Sequence, residues 1–349
     1  MKIRILLVLA SCIVSIVTGL VIARGGASHQ ASGTNRKPRI GLSLDTLKEE
    51  RWQHDREMFE ARANRIGADV IVQSANSDDT RQLHDIESLI TQKVDALVIV
   101  PHNGAAMAKA VKLAHDAGIP VLAYDRLITD SDLDLYITFD NVKVGELQAR
   151  FIVEHRPQGR PLRLVRIYGS KTDNNAMLFK KGQDNVLAPL IAGGEIQIVH
   201  EDWAEDWKPE NAKKIANAAI TKAGHNFDAI LASNDGTAGG AIQALIEEGL
   251  AGKIIVTGQD AELPACQRIV NGTQAMTIYK PLKNLAQRAA ELSVSLARGK
   301  PVIARDELDN GKTKVPSIFL EVIAVTRENI ADTVIADGFH KREDVYRGQ

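Results

Sequence analysis

Between Arg39 and Asp125 one unit recurs: a short run of Val, Ile and Leu, a polar turn, and an amphipathic stretch of helical period. A strand buried on both faces gives a continuous apolar run instead of alternation, and such strands belong to parallel sheets covered by helices on each side. "RIGLSL" is the first run, followed by a helical stretch from about Glu50 to Ile66 that Gly67 closes. "DVIVQSA", a helix over Thr80–Gln92, "DALVIVP", the helical "GAAMAKAVKLAHDAG" ended by Gly118, and "PVLAYD" continue the series. The second half repeats it with "RLVRIYGS", a helix over Ala176–Leu187, "IQIVHED", a helix over Glu210–Ala223, "DAILASND", a helix over Ala238–Glu248, and "KIIVTGQD". At 349 residues the chain exceeds one ordinary core. The expected fold is α/β, with two doubly wound parallel-sheet lobes.

The halves also resemble each other. "DALVIVPHNGAAMAKAV" and "DAILASNDGTAGGAI" share Asp-Ala, an apolar strand, a polar turn with Gly and a small-residue helix, and each continues into a strand ending in Asp, Asp125 or Asp260. Shared βα grammar alone can produce such a match. Ligands of these sheets bind at the carboxyl ends of the strands, where this chain keeps Asp45, Asp125, Arg126, Asn234, Asp235 and Asp260.

Several chemistries are disfavoured. The formal net charge of -1 forces no basic face, so nucleic acid is a poor partner. Of the two cysteines, Cys12 lies in the first apolar run and Cys266 stands alone, which leaves no disulfide framework or thiolate metal site; Cys266 reads as a small helix-packing residue. The histidines show no metal-ligand spacing, with His84 and His115 on solvated helix faces. A phosphate loop, a dinucleotide fingerprint and a nucleophile elbow are all missing, so neither an enzyme nor a cofactor is expected. The sequon at Asn271 is weak, since Gly272 reads equally well as a turn. A transcriptional repressor would need a helix-turn-helix where this sequence has an apolar segment.

That segment runs from Ile5 to Ala23 behind Lys2 and Arg4. With the small residues near Gly25–Ala27 it fits a secretory signal, and its length also fits an uncleaved anchor. Either reading sends the body of the chain across the membrane.

Carboxylates, amides and cations gathered without an activated nucleophile suit a polyhydroxylated ligand, whose hydroxyls donate one hydrogen bond and accept others. The apolar C–H faces of a sugar ring stack on indoles, and Trp52 and Trp207, one in each half, are placed to do so. Taken singly, each residue has a plainer role. Tryptophans pack cores, Asp-Arg at a strand end forms ion pairs, Ser233–Asp235 caps a helix, and Lys280 sits on a surface. The functional reading rests on their convergence at equivalent strand ends.

The stretches "ERWQHDRE", "VQSAN", "VLAYDR", "FDNVKVGELQA", "DNNA", "WKPENA", "ASNDGTAGGAIQAL", "GQDAE", "GTQAMTIYKP" and "DTVIADGFHK" are collinear across about Lys37–Lys341. In them the chain resembles the periplasmic sugar-binding proteins of ABC transporters, of the type I fold, and most of all the members that take D-xylose. The resemblance implies lobes joined by crossing hinge strands near Phe139–Asn141, near Ile278–Lys280 and between Asp306 and Pro316. It implies an N-terminal lobe of 38–140 with about 279–308, and a C-terminal lobe of 141–278 with about 309–341. A signal or anchor (1–27) and a linker (28–37) precede them, and a tail (342–349) follows.

It also implies site roles. Trp52 and Trp207 stack on the two faces of a pyranose. Arg51, Asp125 and Arg126 bond hydroxyls from the first lobe, and Asn174, Asn175, Asn234 and Asp260 from the second. Lys280 reaches in from the hinge side, Asp45 orients Arg51 or touches sugar, and Trp203 is a supporting aromatic. The implied partners are a monosaccharide such as D-xylose and an ABC permease, or a membrane sensor if the chain is tethered. "RPQGRPLRLVRIYGSKTDNN" is longer and more basic than the family pattern, so Arg163 and Arg166 put the adjoining wall in question.

Overall fold

A computed structural model describes residues 36–347. The expected signal or anchor at 1–27 and most of the linker at 28–37 lie outside the described residues.

The first lobe is built from β1 (Arg39–Leu44), α1 (Glu50–Arg65), β2 (Asp69–Ser74), α2 (Asp79–Thr91), β3 (Ala96–Ile99), α3 (Ala108–Asp116), β4 (Val121–Tyr124) and β5 (Leu135–Phe139). The chain then crosses into α4 (Asn141–Glu154), β6 (Leu162–Tyr168), α5 (Asn174–Ala192), β7 (Ile196–Trp203), α6 (Pro209–Ala223), β8 (Ala229–Ala232), α7 (Asp235–Glu247), β9 (Ile255–Val256), α8 (Leu263–Asn271) and β10 (Thr277–Tyr279). It returns for α9 (Leu282–Ala297), β11 (Asp306–Asp309) and β12 (Lys314–Leu320), and crosses again to β13 (Ile323–Val325) and α10 (Arg342–Val345).

The continuous apolar runs follow from cover on both faces. In β1, Ile40, Leu42 and Leu44 pack under α1 and α9, against Phe59, Ala63, Leu285 and Ala289. In β3, Leu97 and Ile99 face α2 and α3 instead, against Ile86, Leu89, Val111 and Ala114. The second lobe repeats the pattern, with α6 and α7 on one face and α4 and α5 on the other.

The larger sheet has the order β11-β12-β5-β4-β3-β1-β2 and the smaller β7-β6-β8-β9, so β2-β1-β3-β4 matches β7-β6-β8-β9 strand for strand. Within these two sheets all pairs are parallel except β11–β12. The internal similarity extends to the backbone. The Asp125 amide donates to the Ile137 carbonyl at 2.8 Å and the Asp260 amide to Ile278 at 2.8 Å, with φ of 62° and 97°.

One boundary differs from expectation. Residues 309–320 belong to the first lobe, because β12 pairs in parallel with β5 from Ser317–Tyr136 to Leu320–Phe139. The third crossing therefore follows Leu320, where β13 joins β10, and does not lie between Asp306 and Pro316. That stretch is a hairpin of β11 and β12; its charged, exposed residues look like a connector because β11 is the sheet edge. The tail is packed as far as it is described, with Val345 buried beside Cys266 and Val270.

Candidate functional site

The loops after the strands of both lobes face one another, and they touch. The Gly104 amide donates to the Thr172 carbonyl at 3.3 Å, the Leu263 amide to Glu50 at 3.0 Å, and Lys48 Nζ to the Asp206 carbonyl at 3.2 Å. Between them lies a cavity.

Arg51, in the first turn of α1, holds the lobes together at this point. Its guanidinium donates to Asp55 at 3.2 and 3.3 Å, to Asp125 at 2.9 Å and, across the cleft, to Asp260 at 3.2 Å. Spacing of i, i+4 on one helix face brings Asp55 beside it. Burial opposes the charge on Arg51, but Asp125, Asp55 and Asp260 together raise its pKa well above the usual arginine value. Asp55 also accepts from the Tyr124 hydroxyl, and burial raises its carboxyl to about 6 despite Arg51. Asp125 goes the other way: burial is outweighed by Arg51, Lys280 and Arg126, and its pKa is lowered.

Arg126 forms the second anchor. Nη1 donates to Asp45 at 2.6 Å, and Nε pairs across the cleft with Asp173 at 2.9 Å. Asp45 therefore orients Arg126 and not Arg51, and it does not line the cavity. Burial alone would raise the Asp45 pKa, yet Arg126 and His102 bring it down to about 2. Arg51 and Arg126 both lie over the Trp52 ring, at 4.2 and 5.2 Å from its centroid. Each such contact is worth about 0.5–2 kcal/mol and holds the indole in place.

In the second lobe Asp173 caps α5, accepting from the Asn175 amide at 2.9 Å, and takes the Trp207 indole N–H at 3.1 Å. Trp207 ends a short 3-10 turn in which Asp206 and Trp207 have φ of 52° and 56°. Positive φ at two successive non-glycine residues costs energy that the surrounding contacts offset. The indole lies edge-on to Phe179 at 6.2 Å. It also lies flat against Gly169, where a Cβ would come within 2.0 Å of the ring. Asn175 donates to Asp125 Oδ1 at 2.9 Å and accepts from Asn141 at 2.8 Å. Asn234 caps α7 through Thr237 and also lines the cavity. Lys280 is 1% exposed, its Nζ 4.0 Å from Asp260 and near the rings of Phe139 and Phe179. Burial lowers its pKa.

Arg51, Trp52, Asp125 and Arg126 from the first lobe and Asn175, Trp207, Asn234, Asp260 and Lys280 from beyond the crossings thus line one cavity. Asn174 is only half-buried and does not line it, because adjacent helix residues point about 100° apart and Asn175 takes the inward position. Trp203 packs on Tyr168 at 4.7 Å, away from the cavity. Arg163 bonds the Asn226 carbonyl and Gln197 on the surface, while Arg166 bonds Gln183 and Asp184; neither is in the cavity wall. Sequence reasoning missed Glu49, Asp173, Phe179 and Gln259. Asp173 carried a signal, an Asp at the N-cap position of a helix, where its short carboxylate can accept from the first-turn amides.

The wall mixes cations, carboxylates and amides with two indoles, and contains no Ser, Cys or His. It can donate to and accept from a neutral ligand with several hydroxyls. Among the described residues no group of three or more His, Cys, Asp and Glu side chains is arranged to hold a metal ion.

Residues 40–301 match the family model described as periplasmic binding protein domain. The D-xylose-binding periplasmic protein of Haemophilus influenzae is 50% identical over 316 residues, covering 90% of this chain and 94% of that protein. Its namesake from Escherichia coli is 49% identical over 310 residues, covering 89% and 93%. Among solved structures, a carbohydrate transporter solute-binding protein from Chloroflexus aurantiacus in complex with D-glucose superposes with a TM-score of 0.83. It shares 32% identity and covers 88% of this chain and 98% of that one. The chain therefore belongs to the periplasmic binding protein family.

Proposed function

We propose that this protein captures D-xylose between its two lobes outside the cytoplasm and hands it, chemically unchanged, to an ABC permease. The observation that carries this reading is the cavity wall: Trp52 and Trp207 from opposite lobes, with Arg51, Arg126, Asp125, Asn175, Asn234, Asp260 and Lys280 around them. The indoles take the two C–H faces of the ring, and the charged and amide groups take its hydroxyls. Charge-assisted hydrogen bonds contribute about 1.5–3 kcal/mol each. A sugar that touches both lobes stabilises the closed form by its differential contacts, and the closed surface is what a permease meets. Two relatives named for D-xylose, at about half identity over nine-tenths of the chain, support the choice of pentose. The apolar run Ile5–Ala23 supports a second reading in which the protein stays anchored and reports xylose to a membrane sensor; N-terminal sequencing of the exported protein separates the two.

Intrinsic tryptophan fluorescence titrated with a panel of pentoses and hexoses tests the proposal, since two of the three tryptophans line the cavity. The expected result is a saturable change with D-xylose at roughly micromolar concentration or below, equivalent to about -8 kcal/mol, and recovery of intact xylose. No change up to millimolar xylose, or tighter binding of a hexose, contradicts it.

A further inference from the structure

Most polar atoms of the cavity wall are already engaged by other protein atoms. Arg51 is shared by three carboxylates, Arg126 by Asp45 and Asp173, and Asn234 by Thr237. Two atoms differ. Glu49 Oε2 and Gln259 Oε1 are both buried and have no hydrogen-bond partner among the described residues. Gln259 is 3% exposed and the Glu49 side chain 10%, and both line the cavity.

Their backbones are fixed from opposite sides. Glu49 immediately precedes α1, and its other carboxylate oxygen pairs with Lys48 at 2.9 Å. Gln259 lies between β9 and α8 in the second lobe, and its carbonyl accepts from the Asp235 amide at 2.9 Å. An acceptor buried without a partner costs about 1–3 kcal/mol, so such groups are rare and call for an explanation.

We infer that Glu49 and Gln259 are specificity-determining residues, one on each lobe, and that each accepts a hydrogen bond from a different hydroxyl of the bound sugar. This rests on the monosaccharide reading above. A ligand that lacks either hydroxyl leaves the acceptor buried and unpaired, so the pair selects against deoxy and O-alkylated sugars more strongly than any gain from D-xylose itself would suggest.

The test is calorimetric titration of the wild-type protein, Gln259→Leu and Glu49→Leu with D-xylose and with its 2-, 3- and 4-deoxy analogues. Each Leu variant is expected to bind D-xylose about tenfold or more weakly. For one deoxy position, different in the two variants, each should bind analogue and parent within about twofold, while the wild type separates them by about tenfold or more. Thermal unfolding of ligand-free Gln259→Leu should be unchanged or higher, because an unpaired buried amide has gone; a merely structural glutamine would give a lower value. Glu49→Gln and Gln259→Glu keep an acceptor in place and should retain the wild-type discrimination, which holds the test open if a Leu variant does not fold. Leu variants with wild-type discrimination at every position overturn the inference alone. A wild-type protein that gives no heat with D-xylose overturns the sugar reading itself.

Discussion

Asp260 joins three features of the account: it accepts from Arg51 of the other lobe, faces Lys280, and sits at a φ of 97° that few non-glycine residues adopt. Removing its carboxylate costs more than one ligand contact, because two buried cations then lose a counter-charge. Asp260→Ala should weaken D-xylose binding by about 2–4 kcal/mol in calorimetry; near-wild-type affinity would take Asp260 out of the site. At this scale the sequence is informative about residue type and less so about direction. The sequence reads Asp45 as orienting Arg51 or touching sugar, and it holds Arg126 instead, since two arginines near one carboxylate cannot be told apart until the strand ends are placed in space. Asn174 and Asn175 are chemically identical, and which of them faces inward follows from where α5 begins, with Asp173 as its cap. Glu49 and Gln259 carried no local signal, because what marks them is the lack of a partner after folding.

At the scale of elements, Trp207 is positioned by a turn and not by a regular helix or strand. Its indole needs the backbone of Asp206 and itself at positive φ, and it needs the bare face of Gly169. Gly169→Ala should push the ring toward the cavity. The expected outcome is a loss of D-xylose affinity of about tenfold or more, with a stability cost of about 1–3 kcal/mol from overpacking; unchanged affinity would show that Trp207 does not set the ligand's position. The βα units were legible from their apolar runs, because strands covered on both faces leave no alternation to misread. β12 was not. Its exposed residues alternate with buried Val315 and Ser317, and its place beside β5 depends on a pairing nearly two hundred residues away in sequence.

For the molecule as a whole, buried carboxyls give stability a pH slope. Burial raises Asp235 to about 7 and Asp55 to about 6, above the unfolded value of about 3.9. A group with a raised folded pKa contributes stability that is fully present below the unfolded pKa and is lost as pH rises through the folded one. His102 acts in the same direction. Asp45 raises its pKa, and the ring's Nε2 lies 3.8 Å from Asp206 of the other lobe, so closure is favoured while the ring is charged. Asp45 has the opposite sign, but its contribution is lost only as pH falls through about 2. Denaturant unfolding should therefore show a more stable protein at about pH 5 than at about pH 8, with a shallower slope in Asp235→Asn. Higher stability at the alkaline end contradicts this.

The central claim is that one sugar is gripped from both lobes at once. A crystal structure of the protein with D-xylose measures that directly. The account predicts the pyranose between the Trp52 and Trp207 indoles, with hydroxyls within hydrogen-bond distance of Asp125 or Arg126 on one side and of Asn234 or Asp260 on the other. Xylose seated on a single lobe, or outside the cavity that the two indoles share, would contradict it.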